Sequence, residues 1–121
     1  MIFYFAYGHN TNTAVMKQRI PDAVYVGVAT LPHYKMVMRQ FADLEKGQGA
    51  KGVLWKISKS DLSTLDQYEK LYEHRRVRVY LNGTSHLAYA YFMLPCEAWH
   101  RPPSAVYVRH VRKGYAEHGL I

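Results

Sequence analysis

The sequence predicts a mixed α/β (α+β) domain built on a curved, mainly antiparallel sheet with only a few helices to cover it. Three observations predict this class. Strand-like and helix-like segments alternate along the 121 residues. Ile2–Tyr7 is a continuous apolar and aromatic run, the pattern of a strand buried on both faces. Asn82-Gly83 separates two strand-like runs and is a hairpin turn signal, so those two runs pair antiparallel. Closing such a sheet into a small barrel would remove its exposed edges. The length favours one domain, residues 1–121, around a single hydrophobic core.

The elements follow in order. After Ile2–Tyr7, Thr13–Arg19 suits a short helix that Pro21 ends. Val24–Thr30 and Tyr34–Phe41 read as strands separated by Pro32. Asp43–Gly49 is polar and contains glycine, so an exposed loop is expected there. Gly52–Ile57 is the next strand. Ser58, three residues before Asp61, forms a capping signal for a helix over Lys59–Lys70. His74–Leu81 alternates Val77, Val79 and Leu81 with polar partners, as a half-buried strand does. His86–Leu94 pairs back on it. Pro95–Pro103 is a loop. Ser104 then caps a last helix whose Tyr107, Val108, Val111 and Tyr115 share one face, with Gly119 as its stop.

Composition narrows the function classes. Hydrophobic residues make up 49% and charged residues 21%, the balance of a globular chain. No apolar run is long enough to cross a membrane, and Met1–Tyr7 lacks the parts of a signal peptide. The lone Cys96 excludes an internal disulfide framework and any cysteine-rich zinc site, so a cytoplasmic location is expected. Sixteen basic residues against nine acidic ones leave a formal charge of +7. The densest basic stretches, Arg75-Arg76-x-Arg78 and Arg109 to Lys113, are not accompanied by a stacking motif or recognition helix. A solvated basic surface that attracts small anions is expected rather than specific nucleic-acid binding. Seven histidines form no metal-binding spacing, so no metal and no cofactor is expected.

Glu69 stands out. It lies seven residues beyond Leu62 and four beyond Leu65, on the apolar face of the helix after Ser58. A carboxylate there is either a base sharpened by burial or one half of a salt bridge, for example with an arginine of Arg75–Arg78. Asp66 flanks the same face, while Asp61 and Glu73 suit capping and surface roles. The turn Tyr7-Gly8-His9-Asn10 is the second candidate. Successive amide hydrogens before a helix can cradle a carboxylate or phosphate, or the segment is a plain turn with an Asn10 cap. Most of the eleven tyrosines suit core packing with a polar tip, Tyr89 and Tyr91 among them, whereas Tyr107 can carry its hydroxyl into a pocket.

Phe5-Ala6-Tyr7-Gly8-His9-Asn10, followed by Met16 and Arg19-Ile20-Pro21, resembles the opening of the γ-glutamylcyclotransferase-like family. So do Gly52-Val53-Leu54-Trp55-Lys56-Ile57-Ser58 with Leu65-Asp66-Gln67-Tyr68-Glu69, and Pro103-Ser104, Tyr107, Gly114 and Glu117-His118-Gly119-Leu120. These segments span nearly the whole chain in the family's order. The family includes γ-glutamyl cyclotransferases, γ-glutamylamine cyclotransferases and a butirosin-pathway deacylating enzyme. The resemblance implies a small six-stranded barrel-like fold with about three helices and one cavity. It implies release of 5-oxoproline from a γ-glutamyl amine or peptide, with Glu69 as general acid/base. It assigns substrate binding to Tyr7, Gly8, His9, Asn10, Thr11, Asn12 and Tyr107.

Three positions depart from the family pattern: His9 stands for serine, Thr11 for an apolar residue, and Lys70 for glycine. The departures bear on substrate choice, and a non-catalytic protein that binds a small ligand in the same cavity is the alternative reading. The expected partner is a small γ-glutamyl molecule, with no membrane and no specific nucleic acid, for a monomer or homodimer. The amine half is expected to meet the loops Asp43–Gly49 and Cys96–Arg101.

Overall fold

Strand β1 (Ile2–Ala6) is the seam of the molecule. The computed structural model, which describes all 121 residues, pairs it antiparallel with β5 (Ala50–Ile57) and parallel with β7 (Thr84–Met93). With β2 (Val24–Leu31) and β6 (Tyr72–Leu81) these strands close a barrel in the order β1-β5-β2-β6-β7. The closing pairs are few: Phe3 and Tyr4 opposite Ala88 and Tyr89 on one side, and Thr30 opposite Tyr80 on the other. The long β6–β7 hairpin turns at Asn82 and Gly83, both at positive φ (50° and 80°), as a two-residue hairpin turn requires.

The fold class is the expected one, with one difference in count. Five strands close the barrel, and β3 (Tyr34–Met38) pairs with β4 (Ala42–Lys46) as a separate two-stranded sheet. The β4 strand corrects the loop expected at Asp43–Gly49. Its polar letters conceal a strand because Ala42 and Leu44 point into the barrel core and Asp43 is buried against donors. Leu44 faces Met36 across the pair.

Alternation along β1 divides the apolar residues between two cores. Phe5 points inward with Leu54, Val79, Ala90 and Phe92 to fill the barrel. Tyr4 and Ala6 point outward and join Trp55, Ile57 and Tyr91 in a second cluster. The covering helices complete that cluster. Helix α1 (Thr13–Arg19) contributes Met16, and α2 (Lys59–Tyr68) contributes Leu62 and Leu65. Each such fully buried large side chain contributes about 1.5–3 kcal/mol.

The helix termini are set by local chemistry. Asn12, not Asn10, caps α1 by accepting from the Val15 amide, and Ser58 and Asp61 form a reciprocal capping box on α2. Helix α2 ends two residues short of the expected Lys70, with Glu69 at its C-cap (φ −107°, ψ 52°). Ser104 caps the last helix, α3 (Ala105–Glu117). This helix lies directly on the turn after β1. A methyl group added at Gly114 would sit 2.6 Å from the Asn12 amide nitrogen, so only glycine permits the approach. No helix is long and apolar enough to cross a membrane.

Candidate functional site

Where β1 leaves the barrel, the chain makes a short 3-10 turn, His9–Thr11, before α1. Four tethers hold this stretch to α3. Tyr115 donates its hydroxyl hydrogen to Tyr7 O (2.5 Å), and Asn12 Nδ2 donates to His110 O (3.1 Å). His118 Nε2 meets Thr11 O (2.9 Å), and the Thr13 amide donates to Glu117 Oε1 (3.1 Å). On the barrel side, Trp55 Nε1 donates to Asn10 O (3.1 Å). The backbone of the turn is therefore fixed, and the side chains of His9 and Asn10 project from a rigid base.

They border a cavity of about 360 Å³ that Tyr7, Gly8, His9, Asn10, Glu69 and Tyr107 all line. Thr11 and Asn12 lie behind it: Thr11 is fully buried and donates to Gly8 O, while Asn12 is the helix cap. Of the other lining residues, Lys70 is a departure from the family pattern, and Arg19 and Tyr68 fall within its motifs without an assigned role. Tyr4, Arg19, Tyr72 and Tyr91 also line the cavity, as do Phe41, Ala42, Tyr68, Lys70 and Leu71. Phe41 and Ala42 precede the segment expected to meet the amine half, and no residue of Cys96–Arg101 lines the cavity. No group of three or more His, Cys, Asp or Glu side chains converges in a metal-binding arrangement.

The charged centre is a pair. Glu69 Oε1 lies 3.2 Å from Arg19 Nη1, with side chains 16% and 19% exposed respectively. The partner of Glu69 is thus an arginine on α1, not one from Arg75–Arg78. Asn10 Nδ2 donates to the same oxygen at 3.4 Å, and the second oxygen, Oε2, has no protein donor. Burial raises the Glu69 pKa above the usual carboxylate value, partly offset by Arg19 and by the hydrogen bonds from Asn10 and Arg19. Arg19 also reaches Asn10 Oδ1 (3.0 Å) and His9 Nδ1 (3.4 Å), and its guanidinium stacks on Tyr68.

Guanidinium offers only donors, so His9 Nδ1 is an acceptor there and the ring hydrogen sits on Nε2. Nε2 then donates to His110 Nδ1 at 3.2 Å, across two rings stacked at 5.3 Å. Burial, with Arg19 and His110 alongside, pushes the His9 pKa down to about 4, so the ring is neutral at physiological pH.

The tyrosine hydroxyls on the cavity divide into two kinds. Tyr7 donates to Tyr91 O, Tyr72 to Ala42 O, and Tyr91 to Asp66 Oδ1, so their hydrogens are engaged. Tyr4 accepts from Asn10 Nδ2 (2.9 Å) and Tyr107 accepts from the Ala42 amide (3.0 Å), which leaves the hydrogen of each free. Burial raises the pKa of Tyr107 to about 12 and that of Tyr4 further, so both stay protonated.

Residues 4–109 match the family described as gamma-glutamyl cyclotransferase, AIG2-like. This chain belongs to that family. Gamma-glutamylcyclotransferases of Homo sapiens and Mus musculus are 30% and 29% identical to it, over 97% of this chain and 71% of theirs. A solved gamma-glutamyl cyclotransferase superposes with a TM-score of 0.88 at 30% identity, covering 98% of this chain and 80% of that one. The cavity lining, from Tyr4 to Tyr107, falls entirely within the matched residues.

Proposed function

We propose that this protein, acting as one domain over residues 1–121, releases 5-oxoproline from a small γ-glutamyl amine or γ-glutamyl peptide, with Glu69 as general acid/base. The observation that carries this reading is a buried carboxylate with one oxygen free, on the wall of a cavity shared with the Gly8–Asn10 turn. Such a substrate already contains its nucleophile, the α-amine, and its electrophile, the γ-amide carbonyl. Ring closure then needs the chain bent into a reactive shape, a proton carrier and a donor for the oxyanion. It needs no enzyme nucleophile, and the reaction calls on no cofactor.

The roles divide as follows. Amide hydrogens of the Gly8–Asn10 turn and the Arg19 guanidinium hold the α-carboxylate. Glu69 Oε2 takes a proton from the α-ammonium, whose pKa exceeds that of the carboxylate less than it would in water because burial raises the latter. The amine nitrogen attacks the carbonyl carbon, and the oxygen becomes an oxyanion that the free hydroxyl hydrogens of Tyr4 and Tyr107 stabilise. The bond from carbon to the departing nitrogen then breaks. Two hydrogens leave the attacking nitrogen on its way to the lactam and two arrive on the leaving amine, with Glu69 as the carrier. The apolar wall of Phe41 and Leu71 receives the amine half.

A panel of γ-glutamyl amines and dipeptides, assayed for 5-oxoproline by mass spectrometry with Glu69→Gln as control, tests the reading. Turnover of at least one compound, abolished in a folded Glu69→Gln variant, is expected. Saturable binding without turnover across the panel would favour a non-catalytic use of the cavity. Full activity in Glu69→Gln would remove Glu69 from the chemistry.

A further inference from the structure

The pairing of Glu69 with Arg19 poses a problem for a base. Arginine and a carboxylate prefer a two-pronged grip in which both terminal nitrogens engage both oxygens, and that grip stabilises the ionised acid strongly. Here the grip is one-pronged. Nη1 reaches Oε1, while Nη2 points elsewhere, to His9 Nδ1 at 3.4 Å. His9 can serve as that second acceptor because its ring is held from behind, stacked on His110 with Nε2 bonded to it, and flanked by Tyr107 at 5.3 Å. A serine side chain at this position is too short to span the same distances.

We propose that His9 is a positioning residue that keeps Arg19 from closing a two-pronged salt bridge on Glu69, thereby leaving Oε2 free as the basic oxygen. The inference rests on Glu69 as the base but acts on a property of Glu69 that can be read without any substrate. Removing the His9 ring frees Nη2, and Oε2 is the oxygen of Glu69 that has no donor. Arg19 then swings fully onto the carboxylate and stabilises its ionised form. The charged and titratable groups around His9, Arg19 and Glu69 are His110 and Tyr107 on α3, Tyr68 at the end of α2, Tyr4 on β1 and Lys70 beyond the helix.

The test uses His9→Ala and His9→Asn in the full chain, each first shown to be folded by circular dichroism and thermal melting. Asparagine places Oδ1 where His9 Nδ1 stands but cannot reach His110. The Glu69 carboxyl carbon is titrated by NMR with carbon-13-labelled glutamate, assigned by its loss in Glu69→Gln. His9→Ala is expected to lower the Glu69 midpoint by about one pH unit. His9→Asn is expected to recover most of that shift. On a turned-over substrate, kcat in His9→Ala is expected to fall about tenfold with its acid limb displaced to lower pH, and KM to rise as Arg19 turns from the substrate carboxylate to Glu69. An unmoved Glu69 midpoint in His9→Ala, or equal shifts in the two variants, would overturn the proposal. Absence of turnover with the expected NMR shifts would instead defeat the cyclotransferase reading and leave the His9 assignment standing.

Discussion

Two enclosed carboxylates near one cavity teach different lessons. Asp43 on β4 is 2% exposed, and both of its oxygens are engaged. Oδ1 accepts from the amides of Leu44 (2.8 Å) and Met93 (2.9 Å), and Oδ2 accepts from Arg39 Nε (2.9 Å). Glu69 is nearly as enclosed, yet all its donors converge on one oxygen. The first carboxylate joins β4 to β7 and has nothing left to offer a ligand. The second keeps an open acceptor beside a cavity. Burial alone does not separate the two; the count of donors per oxygen does.

That contrast can be broken or sharpened by substitution. Glu69→Gln should lower turnover by about 10²–10⁴-fold, measured as 5-oxoproline release. The same variant should be more stable than the parent at neutral pH. Because burial raises the folded-state pKa of Glu69 above 4.5, the native protein binds its proton more tightly than the unfolded chain. Stability from this group therefore declines as pH rises from about 4.5 through the folded value. The advantage of glutamine should grow over that window, as denaturant unfolding at pH 4 and pH 7 would show.

Asp43→Ala should do the reverse: unfolding free energy falls by about 3–5 kcal/mol, because two buried amides and Arg39 lose their acceptor. A loss below about 1 kcal/mol would mean water replaces the carboxylate. Gly8→Ala probes the ground between the two acids. Its new methyl would lie 2.8 Å from Ala42 Cβ, adjacent to Asp43 and on the cavity wall. Stability should fall by about 1–3 kcal/mol and KM should rise, both read on the purified variant. Asp66→Asn is the smallest step. The Asp66–His74 pair is 41% and 36% exposed, and asparagine retains an acceptor for Tyr91, so a change of about 0.5 kcal/mol is expected in denaturant unfolding.

Much of this arrangement is legible in the residues. Helix α1, the capping box at Ser58 and Asp61, and the Asn82-Gly83 turn are local, and local chemistry is written in short spacings. Glu69 is legible for the same reason, since Leu62 and Leu65 mark the face it inherits even though the helix stops one residue earlier. Arg19 falls in a family motif, but its pairing with Glu69 is hidden because the partner lies fifty positions away. Strand β4 is hidden because Asp43 and Glu45 look solvated until Met93, Leu44 and Arg39 surround the former. The division of tyrosines into engaged and free hydroxyls is likewise invisible, because Tyr4 and Tyr72 differ only in which distant atom each one meets.

The clasp of α3 over the turn after β1 has a consequence for biosynthesis. Tyr7, Thr11 and Thr13 are secured by Tyr115, His118 and Glu117, more than a hundred positions later. A ribosome must therefore translate through His118 before the turn after β1 acquires its final shape. A nascent chain that has passed Tyr107 but not reached Tyr115 carries every residue of the pocket lining without the clasp that sets its form.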